Sequence, residues 1–224
     1  MNKLVLLAVS LAAACGGDDY NPTIDPAHFV SGVDNQFFPL VPGTVFDYDV
    51  QETDEMVKVT VLSETKLIKG ITCVVVHDVA SSGGQVVEDT FDWYAQDDKG
   101  NVWYMGEDTT AFDAGMTSKE GSWEYGKSGA LPGIVMEGTP KIGDTYRQEF
   151  LEGEAEDEGE VLSLDASVTV PYGSFTGCVQ TRDFTKLDPE VEENKYFCPG
   201  VGQVRAMITK GGAEHEDLIA VAKP

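Results

Sequence analysis

Residues 70–108 read GITCVVVHDVASSGGQVVEDTFDWYAQDDKGNVWYMGED, and this stretch decides the fold of the chain. It predicts three antiparallel strands, around the apolar β-branched run 73–76 and the aromatic segments 91–94 and 102–104. Turn residues separate the strands, with Gly83-Gly84 after the first and residues 97–101 after the second. The stretch is therefore interpreted as a β-meander.

The chain repeats this plan about 100 residues later. Residues 42–46 align with 142–146 at an offset of 100, Cys73 aligns with Cys178 at 105, and 100–103 align with 202–205 at 102. Three anchors in the same order predict a tandem duplication with small changes in loop length. Chance alternation in a β-rich chain is the alternative.

The predicted fold is mainly β, with antiparallel meanders that form a curved sheet, a half-barrel or a sandwich. Residues 37–224 form the β domain, and its two repeats span about 37–108 and 138–210. Between the repeats, 109–137 is predicted to be a long connection with a strand near 122–125.

The N-terminal residues predict export. Lys3, the short apolar run 4–9 and the small residues 12–14 have the layout of a signal peptide over residues 1–14. The following Cys15 resembles the lipobox cysteine of bacterial lipoproteins, which receives a diacylglycerol, although Ala12 stands where that motif usually has leucine. An ordinary secretory signal with a chance cysteine is the alternative. Polar residues 15–36 are predicted to be a tether, so the mature chain is expected in the cell envelope, lipid-anchored on the extracytoplasmic side, or secreted.

The charge of the chain limits its partners. The formal net charge is −24, and removal of Lys3 with the signal peptide makes it −25. Such a surface repels phosphate backbones and anionic lipid headgroups. The sequence therefore predicts no nucleic-acid partner, and membrane contact only through the lipid anchor.

Three motifs resemble a group of exported bacterial lipoproteins of unknown function. They are the opening FFPLVPGT (37–44), the hairpin DWYAQDDKGNVWY (92–104) and the ending VPYGSFTGC…PGVGQV (170–178 and 199–204). This chain departs from the group pattern at Phe46, where the group has tryptophan, and at Cys198, where it has alanine. The resemblance implies an exported β domain and carries no assigned activity. The layout is also similar to periplasmic lipoprotein-carrier-like sheets, whose concave face takes apolar ligands.

Catalytic motifs are not apparent in the sequence. The chain has no Gly-x-Ser-x-Gly elbow, and His77 and Asp78 are adjacent strand residues that point to opposite faces. We therefore expect no enzymatic activity. A carboxylate pair in a deep cleft, drawn from acids such as Glu88, Asp89 and Asp92, would favour an enzyme instead.

One acidic stretch has the spacing of a calcium loop. Glu154, Glu156, Glu158 and Asp165 fall at positions 1, 3, 5 and 12 of an EF-hand count, with Gly159 at position 6. Glutamate side chains are long for the first positions, so a solvated loop between strands is the alternative. No cofactor is predicted, with calcium as the one to test.

Aromatic residues of the strands provide a second candidate site. Trp93, Tyr94, Trp103 and Trp123 are interpreted as a ligand groove or, alternatively, as core and cross-strand pairs. Because Trp93 and Tyr94 are neighbours in a strand, they must face opposite sides of the sheet.

The cysteine spacing predicts a disulfide between Cys178 and Cys198. Their midpoint is residue 188, within the turn-like stretch 187–189, so a symmetric hairpin places them opposite each other. The same construction centres on Gly84 in the first unit and places Cys73, as a free thiol, opposite Ala95. A Cys73–Cys178 bridge between the units is the alternative.

Taken together, these features predict a non-catalytic binding module that takes calcium or a protein partner from the envelope or the exterior. The alternatives are a carrier of an apolar ligand on the concave sheet and a structural envelope component.

Overall fold

The computed structural model describes residues 20–224, within which sixteen strands form an antiparallel sheet that curves into a nearly closed, barrel-like shape. The prediction of a mainly β fold is confirmed. The predicted signal peptide 1–14 and Cys15 lie outside the described residues.

A single 3-10 turn, Pro26–His28, is the helical element of this range. The strands are β1 (Phe29–Val30), β2 (Val45–Val50), β3 (Glu55–Ile68), β4 (Ile71–Ser82), β5 (Gln85–Asp97), β6 (Val102–Asp113), β7 (Met116–Ser118), β8 (Trp123–Glu124), β9 (Leu131–Met136), β10 (Thr145–Arg147), β11 (Glu149–Phe150), β12 (Asp157–Val170), β13 (Gly173–Thr185), β14 (Glu192–Cys198), β15 (Gly202–Lys210) and β16 (His215–Ala222).

The sheet is closed by one short segment of chain. The strand order runs β10-β12-β13-β14-β15-β16-β2-β3-β4-β5-β6-β9-β11. Its two ends, β10 and β11, are separated by a single residue, Gln148. Residues 145–150 therefore pair with β12 at one edge and with β9 at the other. The backbones approach closely there, because a Cβ on Gly133 would lie 2.3 Å from the carbonyl carbon of Gln148.

Alternating side chains build a core inside the curved sheet. In β2, Phe46, Tyr48 and Val50 are buried while the residues between them are half-buried, as expected for one inward face. Val61 of β3 and Val76 of β4 join them, together with residues from the other half of the sheet. We call this set the inner cluster.

A second apolar cluster explains why the run 73–76 is buried on both faces. Cys73 and Val75 pack with Trp93 and Met105, whereas Val74 and Val76 belong to the inner cluster. We call the set around Trp93 the outer cluster. Strands covered on both sides are continuous apolar runs rather than alternating ones.

The predicted tether is corrected for the part that the structure describes. Residues 20–36 lie on the sheet: β1 pairs with Asp97 and Gln96 of β5, and Phe29 packs against the outer cluster. Asn35 is buried, and its side-chain amide donates to the carbonyl oxygens of Gly100 and Glu137. The segment is polar because it hydrogen-bonds to the sheet. Its apolar residues Ile24 and Phe29 cover the outer cluster, whereas Val33 is buried in the inner cluster.

The predicted connection 109–137 is also corrected. β6 continues to Asp113, and β9 pairs with β6 through Met136, Ile134 and Gly133. Pro132 and Gly133, residues that normally interrupt strands, obscure β9 in the sequence.

The same backbone hydrogen bonds recur 100 residues apart. Val61 donates to the carbonyl oxygen of Thr44 and Val161 donates to that of Asp144, each at 2.9 Å. In the register of the neighbouring strands, Lys66 lies opposite Cys73 and Ala166 opposite Cys178. These correspondences favour the tandem duplication, which stays a prediction.

The predicted disulfide between Cys178 and Cys198 is present, and both residues are fully buried. Cys73 is a buried free thiol, and one register step beyond the pair Val74–Tyr94 places it opposite Ala95, as predicted. The alternative Cys73–Cys178 bridge is absent, because β4 and β13 are separated by five strands.

Within residues 20–224, no helix combines the length and the apolar character that crossing a bilayer requires.

Candidate functional site

A cavity of about 190 Å³ lies inside the curved sheet and is lined from many strands. One part of its wall is apolar and is made by Phe38, Leu40, Val59, Val76, Val135 and Phe197. The other part carries the charged and amide side chains of Asp78, Asp92, Gln148, Asp183, Lys195 and Glu216. The cavity is smaller than the roughly 300–1,000 Å³ of sites for drug-sized molecules. Its lining therefore suits a small ligand with one polar end.

Asp78 is the carboxylate of this wall without a protein partner. Within residues 20–224 no hydrogen bond or ion pair to its side chain is found, although it lines the cavity. Burial raises the pKa of Asp78 well above its ordinary value, and the negative charges of Asp92 and Glu216 raise it further. An acid that is largely removed from water and has carboxylates as its main charged neighbours is poorly stabilised in its ionised form.

Asp92 lies diagonally across from Asp78, on β5. It is 9% exposed, and one of its carboxyl oxygens accepts a 2.5 Å hydrogen bond from the Tyr104 hydroxyl. Glu107 lies opposite it in the register and accepts from the Thr109 hydroxyl at 2.8 Å. Burial raises the pKa of both carboxyl groups, and that of Glu107 is raised further by the charge of Asp92.

Lys195 compensates a different pair of acids, of which Asp183 lines the cavity. Its Nζ lies 3.0 Å from Oδ2 of Asp183 and 3.5 Å from Oε2 of Glu193. Burial lowers the pKa of Lys195, but the charges of these two acids outweigh it and raise the pKa above its ordinary value. Gln148 also donates to Asp183, at 3.0 Å. The acidic lining is thus divided into a half with a cation and a half without one.

Glu216 stands between the two halves. Gln203 donates to its carboxylate at 3.2 Å. Burial raises the pKa of Glu216 to about 7, helped by the charge of Glu193 and opposed by Lys195.

Aromatic rings form the wall beside Asp92. The ring centroids of Phe38 and Tyr94 are 5.3 Å apart, and those of Phe38 and Phe197 are 6.0 Å apart. Tyr94 in turn stacks on Tyr104 at 4.9 Å. Tyr94 is two residues from Asp92 on β5, so its ring lies on the same face of the sheet as this carboxylate.

The four aromatic residues of the predicted groove do not share one surface. Tyr94 lines the cavity, whereas Trp93 and Trp103 belong to the outer cluster on the opposite face. Trp123 packs edge-on against Tyr104 at 5.2 Å, and its indole donates to Glu149 at 2.7 Å. The groove prediction is therefore corrected to Tyr94, joined by Phe38 and Phe197.

The predicted calcium loop is not assembled. Glu158 and Asp165 lie seven residues apart on the extended strand β12, on the order of 20 Å. Glu156 accepts a hydrogen bond from the backbone of Gly153, and Glu158 lies 3.8 Å from Arg147. Among the described residues, no group of three or more His, Cys, Asp or Glu side chains could hold a metal ion. The EF-hand count fails because its second half is strand rather than loop, so Glu154, Glu156, Glu158 and Asp165 do not converge.

Sequence reasoning missed Asp78, Lys195 and Glu216, although a signal for Asp78 and for Glu216 was present. Asp78 continues the inward positions of Val74 and Val76, and Glu216 precedes Leu218 by two residues. A charged side chain at an inward strand position is unusual and marks a site inside the sheet.

A second cavity of about 240 Å³ lies next to the first. The two share Pro39, Phe46 and Val201 as lining residues. Its other walls include Val41, Tyr172 and the C-terminal Pro224. This second cavity is mostly apolar.

No protein-family model and no curated protein matches the chain. Among solved structures, the chain is similar to a protein from Bacteroides fragilis described as exported and of YmcC-like fold. The two share 14% sequence identity and a TM-score of 0.53, over 84% of this chain and all of that one. A protein from Parabacteroides distasonis described as a lipoprotein has 12% identity and a TM-score of 0.47, over 84% of this chain and 99% of that one. The likeness to the first of these shows a shared fold.

Proposed function

We propose that this chain is an exported, lipid-anchored and non-catalytic protein that binds a small ligand in the cavity inside its sheet. The observation that carries the proposal is Asp78, a half-buried carboxylate that lines the cavity and has no hydrogen-bond or ion-pair partner among residues 20–224. Folding gains nothing from an unpaired charge in such a place, because burial disfavours the ionised form. A group that costs stability and faces a cavity is typical of a binding site.

The extracytoplasmic location rests on separate support. The N-terminal sequence has the order of a signal peptide with a lipobox-like cysteine, and the Bacteroides fragilis structure of the same fold is described as exported. Mass spectrometry of the native protein tests this part. We expect a mature chain that begins at Cys15 and carries diacylglycerol, and an unmodified Cys15 would contradict it.

The non-catalytic role rests on the sequence, which has no Gly-x-Ser-x-Gly elbow. Asp92 and Glu107 are adjacent, which is the pairing that would favour an enzyme. Glu107 is not among the residues that line the cavity, whereas Asp92 lines it together with Asp78. A protein partner from the envelope remains a further prediction, since the acidic surface would steer a basic one.

The binding proposal is tested by blocking the cavity. Val59 is half-buried and lines the cavity, so Val59→Phe places a ring inside it. Val86→Phe makes the same change at an exposed position and serves as the control. We expect that a panel of small cationic, neutral and anionic compounds includes at least one that raises the melting temperature of the wild type and of Val86→Phe but not of Val59→Phe. If no compound distinguishes the variants, ligand binding in this cavity is wrong.

The second cavity favours a second candidate, a carrier of an apolar ligand. Its walls at Val41, Phe46 and Val221 are apolar, and it opens beside the C-terminus. Val221→Trp would fill this cavity while leaving Val59 unchanged. Loss of binding of a fluorescent fatty acid in Val221→Trp, with binding retained in Val59→Phe, would support this candidate.

A further inference from the structure

The acidic half of the cavity lacks a cation. Asp183 and Glu193 have Lys195 between them, whereas the largest charges acting on Asp78 are all carboxylates: Asp92, Glu216, Glu88 and Glu107. Asp92 is nine-tenths buried, and its second carboxyl oxygen has no hydrogen bond among the described residues. Two carboxyl groups with free acceptor oxygens therefore line the same cavity.

The register of β4 and β5 places an aromatic ring next to these acceptors. Val76 lies opposite Asp92, and Val74 lies opposite Tyr94. Asp78 and Asp92 are thus diagonal neighbours on one face of the sheet, roughly 7–8 Å apart at Cα, with Tyr94 a further two residues along β5. The ring centroid of Phe38 lies 5.3 Å from that of Tyr94. The order along the wall is carboxylates first, then rings.

This arrangement selects for charge and for size. An ammonium group donates charge-assisted hydrogen bonds to carboxylates and is attracted to the face of an aromatic ring. An anion would be repelled by the same side chains. A divalent metal ion needs several oxygens converging on one point, and no such group is found in residues 20–224. The volume of about 190 Å³ limits the ligand to fewer atoms than a drug-sized molecule.

We propose that the cavity binds a small primary amine with an apolar or aromatic portion. Its ammonium group lies at Asp78 and Asp92, and its apolar portion packs against Tyr94 and Phe38. This inference rests on the proposed function and names the chemical class of its ligand. Lys195 is not part of the amine site, because it already neutralises Asp183 and Glu193 at the other end of the cavity.

Three probes of nearly equal shape test the charge requirement by calorimetry on the full mature chain. They are phenethylammonium, the neutral 2-phenylethanol and the anionic phenylacetate. We expect phenethylammonium to bind at least tenfold more tightly than 2-phenylethanol, and phenylacetate not to bind. This comparison uses the wild-type protein, so it does not depend on the folding of any variant.

Asp78→Asn then tests the residue. The amide keeps the size of the side chain and removes the charge, and no protein hydrogen bond is lost because Asp78 has none. We expect at least a tenfold loss of affinity for phenethylammonium, with the affinity for 2-phenylethanol unchanged. Asp165→Asn removes one charge from an exposed position of β12 and should leave both affinities unchanged.

The outcomes separate the two proposals. If 2-phenylethanol binds as tightly as phenethylammonium, or if Asp78→Asn binds the amine normally, the amine inference is overturned while ligand binding in the cavity stands. The inference is also overturned if the amine does not bind, but another compound binds the wild type and fails to bind Val59→Phe. If no compound at all distinguishes Val59→Phe from the wild type, both proposals fail.

Discussion

At the scale of single residues, Asp78 combines burial with the absence of any compensating group. Its neighbours Asp92 and Glu216 carry the same charge and raise its pKa beyond what burial alone does. The ionised form is thus destabilised in the folded state relative to water. Natural binding sites commonly keep such groups at the expense of stability.

Replacement of this charge should therefore stabilise the fold. We expect Asp78→Asn to raise the free energy of unfolding by about 1–2 kcal/mol at pH 7.5, since burial no longer acts on a charged group. Urea denaturation measures the change. Asp165→Asn, on the exposed face of β12, should change the stability by less than about 0.5 kcal/mol. A less stable Asp78→Asn protein would mean that the carboxylate has a partner that stabilises it.

Cys73 is a second residue whose surroundings set its chemistry. Burial raises the pKa of its thiol to about 12, with Lys66 opposing the shift only in part. The thiolate is the reactive form, so it is almost absent near neutral pH. We expect no alkylation of Cys73 by iodoacetamide in the native protein at pH 8, and complete reaction in guanidinium chloride. Mass spectrometry of peptides follows the modification, and rapid native labelling would show that the outer cluster opens locally.

At the scale of elements, the closure of the sheet depends on residues 145–150. This segment contributes β10 to one edge and β11 to the other, with Gln148 between them and on the cavity wall. A change in the position of this segment would therefore also change the wall of the candidate site.

Gly133 of β9 is the position that tests the closure. A Cβ there would meet the backbone of Gln148 at 2.3 Å and of Arg147 at 2.4 Å, so the closing segment must move. We expect Gly133→Ala to lower the free energy of unfolding by about 1–3 kcal/mol, by the usual cost of overpacking. Gly173→Ala at the start of β13 is the control, because the nearest atom to its Cβ lies 3.6 Å away. Equal stability of the two variants in urea denaturation would contradict the tight closure.

The elements also show how far the sequence predicts this structure. Hairpin symmetry was sufficient for the Cys178–Cys198 disulfide and for the position of Cys73 opposite Ala95, because both depend on local register alone. Closure of the sheet joins residues far apart in the chain, and β9 is hidden by Pro132 and Gly133. The packing of residues 20–36 was missed for the same reason, since Asn35 reaches Gly100 and Glu137 across the fold.

The candidate site was less predictable than the fold. The groove prediction contained Tyr94, which lines the cavity, but it grouped this residue with Trp93 and Trp103 on the opposite face. Which apolar face encloses a cavity depends on the curvature of the whole sheet, and the local sequence does not determine that. Strand periodicity alone does predict that Asp78 points inward from β4, and this was the signal of the site in the sequence.

At the scale of the whole molecule, the enclosed acids make stability depend on pH in an unusual direction. Burial raises the pKa of Asp78, Asp92, Glu107 and Glu216, and for Glu216 the value is about 7 against an ordinary 4.5. The folded state therefore binds these protons more tightly than the unfolded state. The stability that this provides is fully present below about pH 4.5 and is lost as the pH rises through 7.

We accordingly expect a higher melting temperature at pH 5 than at pH 7.5. Glu216→Gln should reduce this difference, because it removes one of the groups whose raised pKa causes it. A pKa shift from 4.5 to about 7 corresponds to at most about 3 kcal/mol of stability. Differential scanning calorimetry across this range measures the trend for both proteins. Stability that rises from pH 5 to pH 7.5, as for proteins with well-paired carboxylates, would contradict the account of an acidic cavity without enough cations.

The central claim is that this cavity holds a small organic cation, and an anomalous-diffraction crystal structure with 4-bromophenethylammonium tests it most directly. The anomalous signal of the bromine atom locates the ring of the bound amine directly. We predict one anomalous peak inside the sheet beside Phe38 and Tyr94, with the ammonium group at Asp78 and Asp92. Bromine peaks found only on the outer acidic surface of a crystal grown at saturating amine, with the cavity unchanged, would contradict the claim.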